Sequence, residues 1–288
     1  MNFSERPLVF PCNSSLLYGI LSLPEQTSSR GVLIVVGGPQ YRVGSHRQFT
    51  LLARFLAAHG VPVLRFDCRG MGDSEGDMRT FEDFEDDLCS AIDSFFEEVS
   101  PLTDLVIWGL CDAASAALFH AQRDQRITGL VLLNPWVHTD QGAAKVYLRH
   151  YYLARLFELE FWRKIWSGSF NYSKASQSLT KILTQALSGR SLETPAKNAD
   201  LTCAPNNLPV RMLNGLSHFE GKVLLITSGN DLTAQEFMSV VKSSREWQKL
   251  LSSPRISCLN LSAANHTFSR REWRDQVAVW TNEWIHSW

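Results

Sequence analysis

A cysteine at the tip of a predicted turn carries the clearest chemical signal in this sequence. An apolar run at residues 105–107 leads into the segment W-G-L-C-D-A, in which Gly109 and Ala113 lie two positions to either side of Cys111. This spacing is that of a nucleophile elbow, G-x-S-x-G, with cysteine in place of serine and alanine in place of the second glycine. Small residues relieve crowding in so tight a turn. A thiol at the start of the following helix lies in the positive end of the helix dipole, which favours the thiolate.

Three other interpretations of this segment stay open at the level of sequence. In the first, Cys111 is a buried structural thiol, since free cysteines are commonly buried. In the second, Asp112 is the nucleophile, but the position that must be small would then hold Leu110. In the third, the nucleophile is Ser115, which alanines flank at the right spacing but which lies about one helical turn beyond the tip. We prefer Cys111.

A nucleophile of this kind needs a histidine base and an acid that orients it, in the chain order nucleophile, acid, histidine. The apolar run 221–227 predicts a buried strand, and Asp231 lies in the turn after it. The run 256–261 predicts another strand, and His266 lies in the loop that follows. Because open α/β sheets bind ligands at the carboxyl ends of their strands, we assign Asp231 as the acid and His266 as the base. An ordinary turn-forming role is the alternative for Asp231.

The loop after the strand predicted at residues 31–36 is the expected source of an oxyanion hole. It reads G-G-P-Q-Y, beginning with Gly37 and Gly38, and we call residues 37–41 the oxyanion loop. One N–H group of the hole comes from this loop, and the second comes from the residue after the nucleophile. Since proline has no N–H group, we expect the donors to be Gln40 and Asp112. A simple turn between strand and helix is the alternative for the two glycines.

A long glycine-rich motif follows the strand predicted at residues 63–66. It reads D-C-R-G-M-G-D-S-E-G and includes the polar residues Asp67, Arg69 and Ser74. A turn so rich in glycine needs side chains that hold its carbonyl and amide groups. We therefore expect these three residues to be structural, with direct contact to a substrate as the alternative.

These motifs together resemble those of the α/β-hydrolases. The pairing of G-G-P-Q-Y-R-V-G-S-H-R with W-G-L-C-D-A-A-S is similar, more narrowly, to the exosortase A system-associated hydrolases, type 1, which accompany bacterial protein sorting and exopolysaccharide production. The resemblance runs over nearly the whole chain. It implies an α/β-hydrolase fold, with a mostly parallel sheet, helices on both faces and a helical lid insertion. It also implies a Cys-Asp-His site, carried here by Cys111, Asp231 and His266, but it implies no particular substrate.

The alternation of predicted strands and helices is interrupted once. We predict that residues 1–136 and 221–288 form the α/β-hydrolase core and that residues 137–220 are an inserted lid, which would gate access to the site. Residues 145–166 form an aromatic, amphipathic stretch that we expect to pack mostly onto the core. Residues 141–190 carry eight basic side chains against two acidic ones. That excess suits weak contact with an anionic membrane or an acidic partner, and a solvated face balanced by nearby acids is the alternative.

The composition fits one α/β domain and argues against several other classes of protein. The chain has 288 residues, 44% of them hydrophobic, and a net charge of −1, which does not favour a nucleic-acid binder. No apolar stretch approaches the ~20 residues of a membrane span, and residues 1–24 lack the pattern of a secretory signal. The six cysteines are scattered, which favours reduced thiols in a cytoplasm. They form no C-x-x-C pattern, so we expect neither a metal nor a cofactor.

Three classes of function remain open. The first, which we prefer, is a hydrolase that cleaves an ester or thioester of a small-molecule or carrier-linked acyl group through an acyl-Cys111 intermediate. The second is an acyltransferase with the same residues, in which an acceptor hydroxyl replaces water. The third is a non-catalytic, hydrolase-like protein that binds a partner through its basic insertion, although three filled catalytic positions argue against it. A peptidase, an epoxide hydrolase and a dehalogenase are less favoured, the last two because Asp112 is out of register.

Overall fold

A twisted sheet organises the chain, as seen in a computed structural model that describes residues 2–38, 40–137 and 208–288. Its eight strands have the order β1-β2-β4-β3-β5-β6-β7-β8. In chain order they are β1 Phe3–Cys12, β2 Ser15–Pro24, β3 Arg30–Val35, β4 Val63–Phe66, β5 Asp104–Leu110, β6 Ile127–Leu133, β7 Lys222–Ser228 and β8 Ile256–Leu261. β2 pairs antiparallel with β1 and with β4, and the other neighbours are parallel. The predicted mostly parallel sheet is confirmed.

Seven α-helices lie in the part of the chain that the structure describes. They are α1 Gln48–Ala58, α2 Glu85–Glu98, α3 Asp112–His120, α4 Leu208–His218, α5 Leu232–Ser243, α6 Arg245–Leu251 and α7 Arg271–Ile285. α2 shows why such segments become helices here. It begins with three acidic residues, which suit the positive end of the helix dipole, and it buries Leu88, Ile92 and Phe95 along one stripe.

The central strand β5 is covered on both of its faces, since successive side chains of a strand point to opposite sides. Val106 and Trp108 belong to a core cluster that includes residues of α1 and α7. Trp108 meets Phe49 of α1 edge to face, with 5.6 Å between the ring centroids. Ile107 lies on the other side and shares the lining of a small cavity with Ile92 of α2. The predicted arrangement of helices on both faces is therefore confirmed.

The chain divides by its internal contacts into two compact units. The sheet belongs to the first unit, Met1–Val137 with Pro209–Trp288, and the second is His138–Leu208. The predicted lid helix and the basic region 141–190 fall in the second unit and lie outside the described residues.

The helix α4 belongs almost wholly to the first unit, although the sequence placed it in an insertion that ends at residue 220. Gly215 of α4 lies so close to the carbonyl group of Leu118 in α3 that an added Cβ would overlap it. Arg211 of α4 pairs with Glu82 and stacks over the ring of Phe119. These contacts attach α4 to the core.

A buried carboxylate joins the loop after β4 to the end of the oxyanion loop. Asp67 accepts hydrogen bonds from the backbone N–H groups of Arg42 at 2.6 Å and Asp73 at 3.1 Å, and it pairs with the Arg42 guanidinium. The Ser74 hydroxyl donates to the Asp67 carbonyl at 2.6 Å and accepts from the Tyr18 N–H at 3.0 Å. These contacts support the structural interpretation of Asp67 and Ser74.

Arg69, from the same loop, is held by the acidic start of α2. Its buried guanidinium pairs with the fully buried carboxylate of Asp87, and it lies 3.1 Å from the exposed carboxylate of Asp86. The Arg69 N–H also donates to Asp87 at 3.3 Å. Arg69 therefore fastens the glycine-rich loop to α2, which supports a structural role.

We expect Asp87→Asn to lower the free energy of unfolding by about 3 kcal/mol, because it leaves a guanidinium charge buried without its main partner. Asp86→Asn is the matched control, since it removes an exposed carboxylate from the same guanidinium and should cost less than about 1 kcal/mol. Denaturant titration of both variants measures the difference. Equal losses would contradict the assignment of Asp87 as the principal partner of Arg69.

Candidate active site

Cys111 lies in a sharp turn between β5 and α3. Its backbone has φ 62° and ψ −123°, a strained combination for a residue with a side chain. Gly109 permits the turn, since an added Cβ there would lie 2.7 Å from the carbonyl carbon of Ala113. The Cys111 N–H donates to the Leu133 carbonyl at 2.9 Å, and the Cys111 carbonyl accepts from the Trp136 N–H at 3.1 Å. The end of β6 thus holds the thiol at the tip.

Ser115, the rival nucleophile, is fully buried one turn further along α3. Its hydroxyl donates to the Trp136 carbonyl at 2.6 Å and lies 3.4 Å from the Cys111 carbonyl. A hydroxyl whose proton is directed at backbone carbonyls is not paired with a base. This geometry supports Cys111 over Ser115 as the nucleophile.

The predicted acid and histidine meet at the ends of β7 and β8. His266 Nδ1 lies 2.9 Å from Asp231 Oδ2. Asp231 also caps α5, where it accepts the N–H groups of Thr233 at 3.2 Å and Ala234 at 3.1 Å. The pKa of the imidazole is raised by Asp231 and then by Cys111, which is near enough to His266 to contribute. The structure therefore brings the three residues together in the order thiol, imidazole, carboxylate.

The charge of His266 follows from these two contacts. The hydrogen bond that the imidazole donates to Asp231, and after it the interaction with the Cys111 side chain, raise the pKa of His266 to about 10, against the opposing effect of burial. The imidazole therefore keeps its proton at neutral pH, which is the form that pairs with a thiolate. The His266 side chain is 35% exposed and Cys111 is half-buried, so neither side chain is sealed within the core.

Asn134 is a positioning residue that the sequence analysis missed. It follows β6, is fully buried and has φ 43°. Its side-chain amide donates to Ser228 Oγ at 2.9 Å and to the His266 carbonyl at 3.0 Å, and its Oδ1 accepts the Ser228 N–H at 2.8 Å. Asn134 therefore ties the ends of β6 and β7 to the histidine loop. The available signal was the polar residue of N-P-W, directly after a buried apolar strand.

The backbone donors around the oxyanion loop differ from the sequence-based expectation at Gln40. The Gln40 N–H donates to the Gly38 carbonyl at 2.7 Å, in a tight turn that the positive φ of Gly38 permits. The Asp112 carboxylate accepts the Ala113 N–H, 3.0 Å from Oδ1. Burial raises the pKa of Asp112, and the backbone N–H groups of Gly38 and Asp112 favour its charged form against that effect. The carboxylate packs against Gly37, where an added Cβ would overlap it.

Among residues 2–38, 40–137 and 208–288, no three His, Cys, Asp or Glu side chains are grouped so that they could hold a metal ion. None of the helices described there is both long enough and apolar enough to cross a membrane.

Comparison with known proteins supports the fold on which this site is built. Residues 27–220, more than half of the chain, match the family model described as serine aminopeptidase, S33. A polyketide transferase, GrgF from a Penicillium species, is 27% identical over 116 residues, which is 38% of this chain and 38% of that protein.

Solved structures with low sequence identity share the fold over nearly their whole length. The esterase Pf2001 of Pyrococcus furiosus has a TM-score of 0.63 and 17% identity, with 98% of this chain and 94% of that chain covered. Est1E of Butyrivibrio proteoclasticus, solved with ferulic acid, has a TM-score of 0.61 and 15% identity, with 96% and 97% covered. The protein accordingly has the α/β-hydrolase fold, and it belongs to the serine aminopeptidase, S33, family.

Proposed function

We propose that this protein hydrolyses esters or thioesters through an acyl group carried on Cys111. The observation that carries the proposal is the position of His266, which lies 2.9 Å from the fixed carboxylate of Asp231 and near enough to Cys111 for both side chains to raise its pKa. A serine is usual at this position of the fold, so a cysteine here retains the nucleophile's place with a more readily ionised group.

In the first half of the proposed reaction, the Cys111 thiolate attacks the carbonyl carbon of the substrate. The new C–S bond forms while the carbonyl electron pair moves onto oxygen, and the N–H groups of Gly38 and Asp112 stabilise that charge. The C–O or C–S bond to the leaving group then breaks. The leaving alkoxide or thiolate takes the proton of His266 and departs as the alcohol or thiol, which leaves His266 neutral.

In the second half, neutral His266 removes a proton from water, which attacks the acyl-Cys111 thioester. Collapse of the tetrahedral intermediate breaks the C–S bond and releases the carboxylic acid and the thiolate. Asp231 fixes the imidazole orientation and stabilises its positive charge throughout. The cycle returns the thiolate and the protonated imidazole with which it began.

The pKa of His266 favours good leaving groups over amines. An imidazolium whose pKa lies at about 10 is a weak acid, so it assists poorly in the expulsion of an amine. Thioesters and activated esters need little such assistance. The expected substrates are therefore acyl thioesters and reactive esters rather than peptides, despite the peptidase description of the family.

Acyl transfer is a second candidate, favoured by one comparison. The partial relative GrgF is described as a polyketide transferase. The same acyl-Cys111 intermediate would serve a transferase, with an acceptor hydroxyl in place of water. Product analysis in the presence of added alcohols would distinguish ester formation from release of the free acid.

The cellular setting is proposed from sequence alone. The motif pairing described above favours a cytoplasmic role beside an exosortase-type sorting or exopolysaccharide system, with a small-molecule or carrier-linked acyl substrate. Residues 137–220 are proposed as the lid, and the basic region 141–190 is proposed to make weak contact with an anionic membrane or partner. Both segments lie largely or wholly outside the described residues.

We expect Cys111→Ala to remove nearly all hydrolysis of a short acyl thioester, at least about a thousandfold, because the nucleophile is lost. Ser115→Ala is the matched control and should keep most of the activity, since its hydroxyl contacts only backbone carbonyls in the described site. Mass spectrometry of the quenched reaction should find the acyl group on Cys111. Acylation of Ser115, with Cys111→Ala still active, would refute the proposal.

The proton of His266 can be followed by nuclear magnetic resonance of its ring nitrogens. We expect the imidazolium to persist well above its ordinary pKa of 6.5 and to titrate near 10. The pair's contribution to stability is then full below pH 6.5 and is lost as the pH rises through about 10. Asp231→Asn, which keeps the shape of the acid but not its charge, should lower the His266 pKa. An unchanged titration in that variant would contradict the assigned partnership.

A further inference from the structure

The carboxylate of Asp112 lies where the oxygen of a reacting acyl group would need to bind. It accepts the Ala113 N–H, 3.0 Å from Oδ1, and the backbone N–H groups of Gly38 and Asp112 favour its charged form. The Asp112 N–H belongs to the residue after the nucleophile, and Gly38 belongs to the oxyanion loop, the two places from which the donors of an oxyanion hole come in this fold. The hole is therefore filled by an anion that belongs to the protein.

Space for this carboxylate is provided by the first glycine of the oxyanion loop. A Cβ at Gly37 would overlap Asp112 Oδ1, and one at Gly38 would lie 3.6 Å from Asp112 Oδ2. The side chain thus fits between the elbow and the oxyanion loop, against backbone on both sides. A carboxylate placed against the positive end of α3 is also electrostatically favoured.

Burial disfavours the charged form of the Asp112 carboxyl, and neighbouring groups offset part of this effect. Burial raises the pKa of Asp112, while the three N–H groups and the positive charge of His266 act in the opposite direction. The proposed Cys111 thiolate is the neighbouring negative group. A substrate oxygen that gains charge at this place would meet both anions unless the carboxylate moved.

We propose that Asp112 is a resident anion of the oxyanion hole and a specificity-determining residue for the Cys111 reaction. In the resting enzyme its carboxylate occupies the Gly38 and Asp112 N–H groups, and it rotates out when a substrate carbonyl enters. Small acyl compounds and free carboxylates have little other binding energy with which to displace it, so the enzyme selects substrates that are bound through their remaining parts. This inference rests on the proposed function.

Two alkylating reagents of similar size test the resident charge without requiring a known substrate. Iodoacetamide is neutral and iodoacetate is anionic, and both alkylate the Cys111 sulfur with loss of iodide. The ratio of their rates at Cys111, iodoacetate to iodoacetamide, should be low in the wild type. We expect it to rise about tenfold in Asp112→Ala and in Asp112→Asn, since a unit charge close to the sulfur is removed.

The two substitutions separate charge from helix capping. Asn keeps an oxygen for the Ala113 N–H, whereas Ala does not, and thermal unfolding reports any loss of the cap. Asp77→Ala, which removes an exposed acid from the loop after β4, is the control and should leave the ratio unchanged. A ratio that stays at the wild-type value in folded Asp112→Ala and Asp112→Asn would overturn the inference.

Hydrolysis of p-nitrophenyl acetate gives a second readout. We expect kcat/KM to rise about tenfold in Asp112→Ala, because the small acyl group no longer competes for donors whose individual loss typically costs 10²–10³ in rate. Added sodium acetate should inhibit Asp112→Ala but not the wild type, because a free carboxylate can refill the vacated hole. A fall in activity without acetate inhibition would contradict the inference.

The outcomes also distinguish this inference from the function on which it rests. Absence of alkylation at Cys111 in every variant, with hydrolysis that survives Cys111→Ala, would overturn the proposed function and the inference together. Alkylation and hydrolysis that depend on Cys111, with no response to either Asp112 substitution, would overturn the inference alone.

Discussion

The close approach of β5 to α3 is the constraint on which the remaining site depends. Gly109 lets the two elements come within a distance that no side chain would tolerate, and Cys111 accepts a strained backbone as a result. That strain persists because Leu133 and Trp136 hold the turn through hydrogen bonds to the N–H and carbonyl groups of Cys111. The thiol is therefore presented at the tip by backbone geometry, independently of how any loop closes over it.

Buried polar side chains fix the positions of the loops at the edge of the sheet where the site lies. Asp231 is anchored by the N–H groups of α5 before it meets His266, and Asn134 holds the backbone of the histidine loop against β7. On the other side of the elbow, Asp67 secures the end of the oxyanion loop through Arg42. Each of these groups is buried and hydrogen-bonded, so each loop is held by contacts that are expensive to break.

Negatively and positively charged groups alternate at this edge of the sheet. The carboxylate of Asp231 and the Cys111 side chain lie on opposite sides of His266, which keeps its proton, and the Asp112 carboxylate is held by backbone donors nearby. Such an arrangement favours chemistry in which negative charge moves from sulfur to a carbonyl oxygen and back.

The sequence by itself determined the sheet, the elbow and the chain order of Cys111, Asp231 and His266. These follow from local periodicity and from the rule that parallel strands end at one edge. It did not determine which N–H groups face the nucleophile, because Gly38 turns the Gln40 N–H back onto its own loop. Nor did it reveal Asn134 or the position of the Asp112 carboxylate. Both depend on partners from segments that only the tertiary structure brings within hydrogen-bonding distance.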